Sequence, residues 1–298
     1  MNSVRLLVRL LVRLVALASL LALADLAVTP VMSRRQVQAL VVSAPSATAY
    51  MERAARAGHP VREYRWVPLP TIAPVAACAV VLSEDEDFFR QGSVTWRAQR
   101  VLMQRMLRGD FSRDGSGLSQ QLAGNLFLNA NRTPRRKARE YLLAHELGQA
   151  LSKVRILELY LNVVEWGEGI WGIEAASQHY FGVAADSLTP AQAVVLTSFL
   201  PAPRRELDYV LGNLALQRQE AIIRKLWMAR LLSDRGRMQT LDRVREWRTQ
   251  TRLSGSAREG WARVAALMGD EAPSFEAAPA DPLAPPLPRL CSTRRRGA

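Results

Sequence analysis

Apolar and polar residues follow helical spacing along most of this chain. Leu142, Leu143, Leu147 and Leu151, then Ile156, Leu157, Tyr160, Leu161 and Val164, recur at intervals of three and four. That spacing stacks side chains on one face of a helix. Leu188-Thr189-Pro190-Ala191-Gln192-Ala193 reads as a helix start, with Thr189 as the N-cap and Pro190 in the first helical position. A further long amphipathic helix is predicted over 213–232, ending near Gly236. Alternating strand patterns are scarce and no internal repeat is present, so the periodicity predicts a mostly α-helical fold.

The two ends depart from this pattern. Arg5, Arg9 and Arg13 form a basic stripe before the apolar stretch 14–32. As a helix that stretch would be about 28 Å long, enough to cross a hydrocarbon core. Asp25 interrupts it, which is tolerable towards an end of a span. The rival reading is a signal peptide cut before Asp25. Under either reading the rest of the chain is exported, because basic residues preceding an apolar segment stay cytoplasmic. Residues 271–298 are rich in Pro and Ala, close on Arg294-Arg295-Arg296, and are expected to be disordered.

A length of 298 residues allows one large domain or two lobes. The net charge of +13 suits nucleic acid or an anionic membrane surface. No zinc-finger spacing, Lys-rich arm or RNA-binding aromatic motif accompanies it, so membrane phosphates and lipid diphosphates explain the charge better, with no nucleic-acid partner. Cys78 lies in an apolar run and Cys291 in the tail, which predicts one buried and one exposed thiol rather than a disulfide. His59, His145 and His179 lack metal-ligand spacing, and His145 is expected to serve packing.

Candidate chemistry concentrates in short stretches. Glu84 opens an acidic run just after the apolar segment Val75–Leu82, and Glu140 closes Arg135-Arg136-Lys137-Ala138-Arg139-Glu140. Between them lies Gly115-Ser116-Gly117-Leu118-Ser119-Gln120-Gln121. A carboxylate at the lip of an apolar segment is partly desolvated, which suits it to take a proton, while clustered cations stabilise an anionic group nearby. The plainer reading makes the acidic run a solvated turn and the basic run a solvated face. Lys137 is one of only three lysines; on a helix it shares a face with Arg136 and Glu140. Lys153 directly follows Ser152, so no Ser-x-x-Lys nucleophile motif is formed, and replacing Lys225, outside every motif, is expected to be mild. Gly167-Glu168-Gly169-Ile170-Trp171-Gly172 fits a dinucleotide fingerprint by letter, yet it follows a helical pattern rather than a strand. Its glycines are read as a tight connection between helices, with Trp166 and Trp171 either lining a sugar groove or packing in a core.

Taken in order, these stretches, with Ile156-Leu157-Glu158-Leu159-Tyr160-Leu161-Asn162 and Tyr180-Phe181-Gly182, resemble the peptidoglycan glycosyltransferases of glycosyltransferase family 51 over about residues 67–203. In length and layout the likeness is to the monofunctional, membrane-anchored kind. The family motif Glu-Asp-x-x-Phe-x-x-His-x-Gly aligns with Glu84 to Ser93, its Gly-Gly-Ser-Thr-Ile-Ser/Thr-Gln-Gln with Asp114 to Gln121, and its Arg-Lys-x-x-Glu with Arg136 to Glu140. Departures are Gln91, Ser93, Asp114 and Gly117.

The resemblance implies a lysozyme-like two-lobed helical domain with one N-terminal transmembrane anchor. It implies transfer of a growing glycan from polyprenyl diphosphate to the 4-hydroxyl of a lipid-linked disaccharide-peptide, lipid II, with inversion. Glu84 would be the general base and Glu140 the second catalytic carboxylate. Asp85, Phe88, Ser116, Gln120, Gln121, Asn125, Arg136 and Lys137 would bind substrate, and a divalent cation, Mg or Mn, could join them at the diphosphate. The implied layout is a stub and anchor at 1–35, a linker at 36–66, the catalytic domain at 67–235, a helical extension at 236–270 and the tail. The implied place is the inner membrane, single-pass, with the domain on the periplasmic side beside other cell-wall synthases. From the residues alone, a glycan-cleaving enzyme or a membrane-anchored scaffold with a decayed site stays open.

Overall fold

The protein is described here by a computed structural model covering residues 34–91, 116–128 and 133–269, with the single positions 13, 100, 104, 108 and 291. The expected anchor at 14–32, the departures Ser93 and Asp114, and all of the tail but Cys291 lie outside the described residues. Among those described, no helix is long and apolar enough to cross a membrane.

Two helices form the centre. Helix α2, Pro74–Glu84, buries every residue from Val75 to Leu82, and helix α7, Pro190–Phe199, buries all ten of its residues. A helix that is apolar on all sides must be enclosed, and these two pack against each other. Thr189 accepts from the Gln192 amide while the Gln192 side chain accepts from the Thr189 N–H, the reciprocal cap that starts α7. Around this pair lie α1, Ala49–Arg56; α3, Leu118–Phe127; α4, Pro134–Ala150; α5, Lys153–Val163; and α6, Ile173–Phe181. The short α8, Glu206–Val210, leads to α9, Asn213–Met228, which packs on both α2 and α7. Helices α10, Asp234–Ser254, and α11, Ala257–Met268, pack on each other and on α7 and α6 respectively.

The mostly helical expectation therefore holds, with three local corrections. The predicted 213–232 helix stops at Met228, because Arg230 turns left-handed at φ 60° and Leu231 N–H reaches back to the Leu226 carbonyl at 2.9 Å. That is the closing geometry usually supplied by glycine. The stretch Glu165–Trp171 contains strands rather than a plain turn. Strand β2, Glu165–Gly167, pairs antiparallel with β3, Ile170–Trp171, which pairs parallel with β1, Glu63–Tyr64. His145 is exposed, not packed.

The cysteine expectation is overturned. Cys78 on α2 is disulfide-bonded to Cys291, with Cα atoms 4.9 Å apart and both residues buried. Residue 291 is thereby fixed to the core, whatever path the chain takes from Gly269.

Candidate functional site

Helix α3 starts beside the end of α2, and this junction brings the two predicted motifs together. The Asp85 carboxylate, just past the last residue of α2, accepts from the Leu118 N–H at 3.1 Å and so satisfies a free donor at the start of α3. A Cβ on Gly117 would lie 2.5 Å from that same Asp85 oxygen. A side chain at this position would displace that oxygen, although the Gly117 φ of −67° would suit any residue. Burial raises the proton affinity of Asp85 above the ordinary carboxylate range, against the opposing pull of the Leu118 N–H and of Lys153.

Glu84 sits one residue earlier, its side chain largely enclosed. One of its oxygens accepts from the Gln121 amide at 3.0 Å and the other is ion-paired with Arg218 of α9. The Gln121 amide also donates to the Ser116 carbonyl at 3.0 Å, and its oxygen accepts from the Tyr160 hydroxyl of α5 at 2.9 Å. Gln121 is thus held from both ends of its amide.

Helix α4 supplies the cations. Thr133 caps it by accepting from the Arg136 N–H at 3.2 Å, and Pro134 opens it. Arg135, Arg136 and Lys137 then crowd its first turn, with no acidic residue there. Cations at a helix N-terminus oppose the backbone dipole, so helix stability does not account for them. Lys137 is buried; its ammonium donates to the Ser116 hydroxyl at 2.6 Å and to Glu140, which also accepts from Arg136 at 2.9 Å. Polar contacts consequently run without a break from Glu84 through Gln121 and Ser116 to Lys137, Glu140 and Arg136.

Part of this network edges a cleft, whose lining includes neither Glu84 nor Lys137. Ser116 lines it from just before α3, Gln121, Asn125, Arg136 and Glu140 from α3 and α4, and Tyr50, Tyr160 and Glu165 from α1, α5 and β2. Gly124 also lies on its wall, where a Cβ would stand 3.4 Å from Arg136 and 3.6 Å from Glu140, so the small residue keeps room for both side chains.

Not every expected site residue faces this space. Phe88 is 1% exposed, packs edge-to-face on Phe89 and lies under Lys153, 4.5 Å from its ring centre, so it has no surface to offer a substrate. Gln120 is buried. Asp85 spends its carboxylate on the helix start. Trp166 and Trp171 are both fully buried, which decides for core packing over a sugar-facing role. Gln91 donates to the Asp87 carboxylate at 2.8 Å, bracing the turn after α2.

Several residues of the site went unnoticed in the sequence. Arg218 was marked only by position: it lies three residues after the buried Ala215 and four before the buried Ile222, a charge on the inward face of an amphipathic helix. Lys153 lies beside Asp85, and burial lowers its pKa. Tyr160 stood inside a quoted motif without a role. Glu165 is buried against Arg204, whose Nε lies 3.0 Å from both carboxylate oxygens; nothing in the sequence paired them.

Glu84, Glu140 and Asp85 each accept from protein donors, and among the described residues no three His, Cys, Asp or Glu side chains gather as a ligand set.

Comparison with known proteins agrees with this geometry. Residues 49–227 match the family model described as Transglycosylase. A protein of Rhizobium leguminosarum bv. trifolii named biosynthetic peptidoglycan transglycosylase is 48% identical over 139 residues, 47% of this chain and 60% of the relative. Proteins of the same name from Laribacter hongkongensis and Alcanivorax borkumensis are 42% and 41% identical over 166 and 187 residues, covering 54% and 60% of this chain and 73% and 76% of theirs. The chain thus spans less than two thirds of the length of the Rhizobium relative. With its Glu84 and Glu140 motifs joined by one hydrogen-bond network and its matched segment running from α1 into α9, this chain belongs to the transglycosylase family.

Proposed function

We propose that the protein polymerises peptidoglycan glycan chains from a lipid-linked disaccharide-peptide. The observation that carries this reading is the continuous polar network with a carboxylate at one end and a Lys–Arg pair at the other, whose Ser116, Gln121, Arg136 and Glu140 line one cleft. The relatives bear the name of that activity.

In this reading the acceptor's 4-hydroxyl attacks the donor's anomeric carbon from the face opposite the diphosphate. A C–O bond forms, the bond to the diphosphate breaks with inversion, and the hydroxyl proton passes to Glu84. Each Glu84 oxygen already accepts one protein hydrogen bond but retains a second lone pair, so the carboxylate can still take the proton. A positioned base contributes on the order of 10²–10⁴-fold. The leaving diphosphate takes the electron pair, and Arg136 with Lys137 stabilises that charge, an effect often worth about 3 kcal/mol per donor. Glu140 holds both cations and acts through them. The lysozyme-like lobes, the inner-membrane anchor, the periplasmic placement and work beside other synthases belong to the same proposal and rest on the family likeness and on residues 1–33.

Incubating purified protein with the lipid-linked precursor, and separately with finished glycan, tests this reading. Polymer from the first is expected. Fragments from the second would make it a lytic enzyme, and no product from either a scaffold. Glu84→Gln, which keeps shape but cannot take the proton, should abolish polymer; more than about a tenth of the wild-type rate would remove Glu84 from the base role.

A further inference from the structure

Arg218 stands out because nothing in the motifs accounts for it, yet it touches the one carboxylate on which the proposed chemistry turns. We infer that Arg218 is a positioning residue that fixes the carboxylate plane of Glu84 for proton transfer; this rests on the reading of Glu84 as the base. Glu84 lies at the last helical position of α2, where the helix gives way to the turn at Asp85, so its backbone alone does not lock the side chain. Arg218 donates to one oxygen and Gln121 to the other, one donor on each, which removes rotation about the last side-chain bond.

The pair joins elements 134 residues apart, and the Arg218 and Glu84 side chains are only 27% and 14% exposed, so solvent screens it less than a surface pair. Arg218 meets Glu84 through one terminal nitrogen, and its Nε is buried with no partner. Other groups around Glu84 do not replace it. Lys225, also on α9, is taken by Glu86 at 3.1 Å and by the Leu82 carbonyl at 2.7 Å. Lys153 of α5 stands by Asp85, Asp87 is engaged by Arg90 and Gln91, and α7 carries no charged residue. Arg218 is therefore the cation that aims Glu84 while Asp85, Glu86 and Asp87 crowd negative charge beside it.

The experiment uses the full-length protein in detergent with the lipid-linked precursor, measuring kcat, KM and the pH–rate profile for wild type, Arg218→Ala, Arg218→Lys, Arg218→Gln and Glu84→Gln. Losing the aim of a reacting group costs on the order of 10²-fold, so Arg218→Ala should lower kcat by roughly 10- to 100-fold with KM nearly unchanged. The acidic limb of its profile should move to higher pH, and Arg218→Lys should recover part of both. A kcat within about threefold of wild type, or a rise in KM at constant kcat, overturns the inference. So does a loss that follows melting temperature alone with the acidic limb unmoved. If Arg218→Ala does not fold, Arg218→Gln, which keeps a neutral donor, must show the same displaced limb or the inference fails. An inactive Glu84→Gln beside a fully active Arg218→Ala would sink this inference alone, whereas an active Glu84→Gln would sink the base reading beneath it.

Discussion

Placing any side chain at Gly117 should destabilise the protein through a single contact. The Cβ of Gly117→Ala would stand 2.5 Å from the Asp85 oxygen that now accepts from Leu118 N–H at 3.1 Å. Since Gly117 has an ordinary extended backbone, no conformational strain adds to this. The carboxylate must swing away, and α3 loses its starting hydrogen bond, a change of about 0.5–2 kcal/mol. The displaced carboxylate is also buried and loses a donor, which brings the expected total to about 1–3 kcal/mol. For a domain of this size that is a fall of about 2–12 °C in melting temperature, read by circular dichroism at neutral pH. Made in an Asp85→Ala background, the same substitution should be nearly silent, because the oxygen it collides with is gone; the difference between backgrounds should be about 1–3 kcal/mol. A melting temperature within about 1 °C of wild type, or an equal shift in both backgrounds, would refute the argument. The outcome also bears on the decayed-scaffold reading. If Gly117→Thr only harms the protein, this departure from the family pattern is a fit to Asp85 and not a scar.

Three further outcomes are expected. Cys291→Ser should lower stability by up to about 5 kcal/mol, since a bond across 213 residues closes a long loop, and wild type should show no free thiol until reduced and unfolded; free thiols in the folded, unreduced protein would contradict this. Lys137→Ala should remove nearly all polymerisation, leaving Glu140 with Arg136 alone, while Lys225→Ala, in place of the mild effect expected from the sequence, should cost melting temperature as well as rate because Lys225 holds the last turn of α2 through Leu82; a silent Lys225→Ala would show that this tether is idle. Asp85→Asn should gain stability relative to wild type as pH rises: the folded-state proton affinity of Asp85 is raised, so its contribution is full below the unfolded value near 3.9 and is lost as pH climbs through the folded one. A stability difference between the two that stays flat from pH 4 to 7 would dismiss the burial effect.

What the sequence made legible follows from how local its signals were. The apolar run Val75–Leu82 and the Thr189 cap each carry their reason within a few residues, and α2 and α7 form where those signals stand. The end of α9 does not, because Arg230 takes the left-handed turn that glycine normally signals while Leu231 and Leu232 keep the apolar pattern going into the core. Cys78 and Cys291 gave no clue to each other, since neither the tail's composition nor a separation of 213 residues implies a meeting. Phe88 looked like a substrate contact because it sits inside a motif; the motif also encodes the turn, and the ring is spent inside it.

The site is most readable where it breaks the rules that favour a stable fold. Arg135, Arg136 and Lys137 oppose the dipole of the helix they open, and Lys137 is buried with its charge. Arg218 occupies the inward face of α9 where an apolar residue would pack better. Such conflicts between local preference and global structure concentrate where function outweighs stability. Buried Lys137 and half-buried Arg218 are answered by Glu140 and Glu84, and those two carboxylates are in turn held by the same cations. Each partner is thus needed to make the other affordable in a dry setting, so single substitutions in either pair should harm more than replacing both partners together with apolar residues of similar size would harm stability. That reversal, more stable when doubly replaced yet inactive, would mark these pairs as kept for chemistry.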